Sequence, residues 1–177
     1  MQAIVTAIDD PYRDAIENIW GELKAVFGLK GVAGSTQPHL TYETAEGYDA
    51  TLDARLRDIA GSTPPFEIET HGIGVFRGKE TVLYLHLTES AQLSDLHARL
   101  WDATGSAATN VTSVYAPATW APHLTIAAGE MPADQLESVL RFLDARPRAW
   151  RIPVTNICVI PDSTAGSQWR RFDLGHA

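Results

Sequence analysis

Apolar positions along the chain change period repeatedly, and each change marks an element. Ala3-Ile4-Val5-Thr6-Ala7-Ile8 is a short apolar run ending in Asp9-Asp10, which predicts a buried strand over 3–9. Asp10 is placed to cap a helix with Pro11 in its first turn. Ile16, Ile19, Trp20, Leu23, Val26 and Phe27 then recur at helical spacing, with Gly28 as the predicted stop. Residues 29–37, rich in Gly and Ser, read as a loop before a strand over 38–44. A second helix over 48–60 turns Leu52, Leu56 and Ile59 inward and stops at Gly61. Pro64-Pro65 opens a strand through Phe76, in which Gly72 and Gly74 predict a bulge or bend. Gly78-Lys79 turns the chain into a strand over 81–88.

A third helix over 90–102 places Leu93, Leu96 and Leu100 on one side. An irregular stretch over 103–120, rich in Thr, Ser and Ala, leads to a strand over 122–128. The fourth helix starts near Pro132 and buries Leu136, Val139, Leu140 and Leu143, and two strands, 149–160 and 168–174, close the chain. In each half one strand directly precedes a helix. The order predicts an α+β protein built from two similar lobes, a single bilobal domain over residues 1–177.

The same two strands carry the candidate chemistry. They begin Pro38-His39-Leu40-Thr41 and Pro122-His123-Leu124-Thr125, 84 residues apart. Side chains alternate faces along a strand, so His39 and Thr41 project together, about 7 Å apart, as do His123 and Thr125. Each copy offers an imidazole that can move a proton and a hydroxyl that can hold an oxygen. Facing one another, they would suit in-line displacement at phosphorus.

Six His and 16 Thr in 177 residues would give about half a His-x-Thr match by chance, yet three occur, the third being His86-Leu87-Thr88. Context separates them. His39 and His123 follow a proline where a loop enters a strand. His86 lies late in a strand whose Leu83, Leu85 and Leu87 share a face, so it reads as a non-catalytic residue on the other face, beside Tyr84.

These residues resemble the 2H phosphoesterase superfamily, whose best-known branch is the 2′-5′ RNA ligase-like proteins. Besides the paired signatures, the likeness rests on residues 3–9, on Phe66-Glu67-Ile68-Glu69 leading to Gly72-Ile73-Gly74-Val75-Phe76, on Val82-Leu83-Tyr84-Leu85, and on Trp120-Ala121 before the second signature. The resemblance implies two pseudo-symmetric ferredoxin-like lobes with antiparallel sheets lining a central cleft. It also implies a catalytic set of His39, Thr41, His123 and Thr125. The implied reaction is opening of a 2′,3′-cyclic phosphate at an RNA end or on a small nucleotide. One His takes a proton from water and the other gives one to the leaving sugar oxygen. Two imidazoles and two hydroxyls supply the proton traffic and oxyanion contacts, so no metal and no cofactor is expected. Cleavage of 2′-5′ or cyclic oligonucleotide signals is an alternative, as is a non-catalytic nucleotide-binding module. The intact His and Thr pairs speak against the module.

Composition narrows the partners. A net charge of −8 and a pI of about 5.1 argue against a long grip on a nucleic-acid backbone and leave one small nucleotide or RNA end. Tyr115 and Trp120, before the second signature, are candidates for stacking on a base, with packing against the sheet as the alternative. Arg146, Arg148, Arg151, Arg170 and Arg171 form a basic cluster, read as a solvated face. The lone Cys158, in Ile157-Cys158-Val159-Ile160, reads as a buried, inert thiol. The N-terminal run is too short for a signal peptide, and no stretch has membrane-spanning length. A cytoplasmic monomer is expected.

Overall fold

The buried strand positions set the architecture. In a computed structural model, residues 1–29, 37–129, 131–146, 149–162 and 168–175 are described. Their elements run β1 (Gln2–Ala7), α1 (Tyr12–Phe27), β2 (His39–Ala45), β3 (Gly47–Tyr48), α2 (Leu52–Gly61), β4 (Phe66–Arg77), β5 (Thr81–Leu87) and α3 (Ala91–Thr104). Then follow β6 (Ala108–Thr109), a 3-10 turn over Ser113–Tyr115, β7 (His123–Gly129), α4 (Ala133–Asp144), β8 (Arg151–Val154), β9 (Asn156–Ile160) and β10 (Arg170–Asp173). Eight strands form one antiparallel sheet in the order β10-β9-β1-β2-β7-β5-β4-β8, and β3 pairs with β6 apart from it. No helix among the described residues is long and apolar enough to cross a membrane.

Two four-strand halves meet at the centre of that sheet, where β2 and β7 share the single pair Leu40↔Leu124. The halves repeat each other closely. Ala7↔His39, Thr6↔Leu40 and Val5↔Thr41 in one match His86↔His123, Leu85↔Leu124 and Tyr84↔Thr125 in the other. Both signature strands then bulge at the same place, the register skipping Tyr42 in β2 and Ile126 in β7. Helices are exchanged between the halves: α1 follows β1 but packs against β7, and α3 follows β5 but packs against β2. Together with α2 and α4 they bury one face of the sheet, with Leu40, Leu83, Leu85, Leu87, Leu124 and Ile126 almost fully enclosed. The opposite face lies open above β2 and β7.

Most expected elements occur, with local corrections. Asp10 does not cap α1; Pro11 holds the cap position without a side-chain bond, and Asp10 pairs with Arg13 at 2.6 Å. Gly28 ends α1 in the left-handed conformation at φ 69°, as expected. In its last turn Phe27 meets Phe142 edge-on at 5.3 Å and leaves Val26 59% exposed. The second helix starts at Leu52 rather than 48. Residues 47–48 pair with 108–109, and the Asp49 carboxylate accepts the Thr51 N–H at 2.8 Å in an Asx turn before the first helical residue. Gly61 is the last residue of that helix, and Ser62 caps it. The bulge expected at Gly72 is present, between Thr70 and Ile73. The irregular stretch over 103–120 contains β6 and the 3-10 turn.

The largest correction concerns 149–160. It is two strands, because the chain crosses from one half to the other at Thr155: β8 pairs with β4, whereas β9 pairs with β1. Asn156, fully buried at the crossing, accepts the Ala7 N–H at 2.9 Å and donates to the Ala7 carbonyl at 3.0 Å. Its amide thereby stands in for a missing rung of the ladder. The expected loop over 29–37 lies almost wholly outside the described residues.

Candidate active site

Leu40 and Leu124 point into the core, at 0% and 1% exposure, so their neighbours along each strand project from the open face. His39, Thr41, His123 and Thr125 therefore share that face, all four half-buried. Continuing the antiparallel register from Leu40↔Leu124 sets His39 beside Thr125 and Thr41 beside His123. Each imidazole thus adjoins the hydroxyl of the other signature. The proline-led triplets, 84 residues apart in sequence, converge on one patch.

The Thr carbonyls at the bulges are held alike in both halves. Trp120 donates its indole N–H to the Thr41 carbonyl at 2.9 Å, and Trp20 donates to the Thr125 carbonyl at 3.3 Å. Both imidazoles are also oriented alike. His39 Nδ1 lies 3.0 Å from the Gln37 carbonyl, and His123 Nδ1 lies 2.7 Å from the Ala121 carbonyl. A carbonyl only accepts, so each Nδ1 carries the proton and each Nε2 presents a lone pair when the ring is neutral. Burial pushes both imidazoles below their ordinary value, opposed by these carbonyl bonds. The two sites repel as cations: His123 lowers His39 further, and His86 lowers His123.

The walls beside the two His differ. His39 meets the Trp169 ring edge-on at 5.7 Å, above a patch made of Val5, Ala7 and Cys158. His123 meets Phe76 and Tyr84 edge-on at 5.0 and 5.3 Å. Phe76 and Tyr84 stack on each other at 4.1 Å. The Tyr84 ring lies across Gly74, where a Cβ would stand 2.1 Å from Tyr84 Cζ. Any side chain there would displace the ring. An apolar cavity of about 480 Å³ opens beside His123 and Thr125, walled by Phe76, Val82, Val114, Tyr115 and Trp120. Tyr115 and Trp120 thus border the cavity that His123 and Thr125 also line. Trp120 also packs on the sheet side, stacked at 3.9 Å on His97, which bonds the Tyr42 and Tyr115 carbonyls.

Sequence reading missed Trp169, Phe76 and the neighbourhood of Tyr84. Alternation with Leu83 and Leu85 already placed Tyr84 on the face opposite the core. Trp169 follows no period, and only the β10–β9 pairing brings it near His39. The described members of the arginine cluster are all ion-paired: Arg146 with Glu22, Arg151 with Glu69, Arg170 with Asp53, and Arg171 with Asp9 and Asp173. Arg148 lies outside the described residues. Cys158 is buried, and its thiol is pushed up to about 11 by that burial. Among the described residues no three His, Cys, Asp or Glu side chains could hold a metal ion together.

Comparison with known proteins identifies the family and the fold. The sequence profile of the 2′-5′ RNA ligase superfamily matches residues 12–164, most of the chain. A protein of Oceanobacillus iheyensis named "Putative phosphoesterase OB1230" is 32% identical over 107 residues; the match spans 58% of this chain and 58% of that protein. The fold is shared with the crystal structure of TT0787 of Thermus thermophilus, at a TM-score of 0.59 and 19% identity, over 98% of this chain and 97% of that one. It is shared also with E. coli LigT complexed with 3′-AMP, at a TM-score of 0.56 and 20% identity, over 98% and 95% of the two chains.

Proposed function

The chain belongs to the 2′-5′ RNA ligase superfamily, and we propose that it is a phosphodiesterase that opens 2′,3′-cyclic phosphates by two-histidine acid–base catalysis. In this reading the two lobes over residues 1–177 act as one bilobal unit. The observation that carries it is the pair of Nδ1-anchored imidazoles, His39 and His123, on one open face, each beside the other signature's Thr.

The chemistry follows from what each group can do. Opening the ring needs a nucleophile in line with the departing sugar oxygen. One neutral imidazole takes the proton of the attacking water at Nε2. The other, protonated at Nε2, gives its proton to the leaving 2′ or 3′ oxygen. Each ring thereby ends in the state in which its partner began. Thr41 and Thr125 donate to the non-bridging oxygens as negative charge gathers there. Mutual repulsion of the two cations favours the singly protonated pair that this scheme requires. Burial lowers each imidazole on its own account and so weighs further against the doubly protonated pair.

The apolar cavity beside His123 supports a nucleoside substrate, since its flat walls can stack on a base for about 1–3 kcal/mol. The test is turnover of nucleoside 2′,3′-cyclic phosphates, with the phosphate position of the product read by chromatography. Conversion to a single 2′- or 3′-monophosphate, lost in His39→Ala and in His123→Ala, is the expected result. Full turnover in both variants contradicts the mechanism.

A further inference from the structure

The third His-Leu-Thr triplet, set apart above as non-catalytic, is not remote from the site. His86 is the direct cross-strand partner of His123, so both rise from the same face of the sheet. His86 and Thr88 are exposed on that face. On the neighbouring strand, His71 stands with its ring 4.4 Å from that of His86 and its Nδ1 3.1 Å from Thr88 Oγ1. His86 Nδ1 donates to the Leu87 carbonyl at 3.0 Å, the same kind of anchoring seen at His39 and His123. Two imidazoles and a hydroxyl are thus gathered beside His123.

Their position relative to the cavity gives them a meaning. The His123 ring meets Phe76 and Tyr84 and lines the apolar cavity, whereas the His86 ring lies 4.4 Å from His71 and 6.3 Å from Tyr84 and does not line it. His123 therefore adjoins both an apolar hollow and a cluster of polar nitrogens. Beyond Thr88 a groove of about 440 Å³ continues along Ser90, Gln92 and Arg151, with Glu67 and Glu69 on its other side. Arg151 is bonded to Glu69 there, at 2.9 Å. A phosphate is met by N–H and O–H donors, and imidazole rings with a threonine hydroxyl are side chains of that kind.

We infer that His71, His86 and Thr88 form a subsite for a second phosphate, next to the one held between His39 and His123. The inference rests on the proposed reaction and narrows its substrate. The preferred ligand is a nucleotide with at least two phosphates, as at the end of an RNA or in a short oligonucleotide, bound more tightly than a nucleoside cyclic monophosphate that fills the catalytic site alone. The base occupies the cavity, and the chain continues over β5 and β4 into the groove.

Calorimetric titration of the whole protein with adenosine 3′-monophosphate and adenosine 3′,5′-bisphosphate tests this without turnover. The wild type is expected to bind the bisphosphate about tenfold more tightly. His86→Asn, and separately Thr88→Val, which keeps both rings but removes the partner of His71, are expected to shrink that preference to below about threefold. Equal affinity for the two ligands in the wild type overturns the inference. So does failure to bind the bisphosphate, or a preference that survives both substitutions. A wild type that shows the preference but opens no cyclic phosphate would keep the subsite and remove the proposed reaction.

Discussion

Around His39 the described floor is made of small apolar side chains, Val5, Ala7 and Cys158, all buried, with Trp169 edge-on to the ring. Around His123 it is aromatic and polar by turns, with Tyr84 laid over Gly74, Phe76 stacked on it, and His86 across the ladder. The backbones nevertheless match, rung for rung and bulge for bulge, and each Thr carbonyl receives an indole N–H. What the two halves share is what proton transfer needs. In the proposed reaction the shared rungs carry the proton transfer, and the floor around His123, where the halves differ, carries recognition.

The largest effect should be symmetric. His39→Ala and His123→Ala are each expected to lower kcat by about 10²–10⁴-fold in steady-state assays on a cyclic nucleotide. A large loss in one half alone would break the comparison. The next effect should be one-sided. Tyr115→Ala removes a wall of the cavity, and loss of about 1–3 kcal/mol of stacking predicts a rise in KM of roughly 5- to 150-fold.

Smaller effects sharpen the contrast through stability. Gly74→Ala would drive a methyl into the Tyr84 ring and is expected to cost about 1–3 kcal/mol in denaturant unfolding. By register, Cys158 occupies the matching place in the other half, where a side chain is already accommodated. Trp20→Phe removes only the indole donor to the Thr125 carbonyl. It should cost about 1 kcal/mol and leave KM unchanged, since Trp20 does not line the cavity.

Much of this was legible in the chain because it is local. Period-two alternation alone puts His39 with Thr41 and His123 with Thr125, and helical spacing alone finds the core residues of α3. The remainder depends on partners distant in sequence. No periodicity shows that the run over 149–160 changes halves at Thr155. None shows that α1 and α3 each pack under the opposite half, or that Trp169 reaches His39. His86 shows the limit most clearly. Its strand correctly assigns it to the face away from the core, but only the β5–β7 register shows that this is also the face of His123. Tyr115 and Trp120 were visible as aromatics before a signature strand; their place on a cavity wall needed the fold.

Opposite roles for the two imidazoles are the central claim, and the pH dependence of kcat/KM in the wild type and the two His→Ala variants tests it most directly. Both imidazoles are held below the ordinary His value by burial. The wild-type profile should therefore be a bell with its maximum on the acid side of about pH 6.5, since a bell peaks midway between its two limbs. In the residual activity of the variants, one substitution should abolish the rising limb and the other the falling limb. Loss of the same limb in both, or an intact bell in either, would contradict the account.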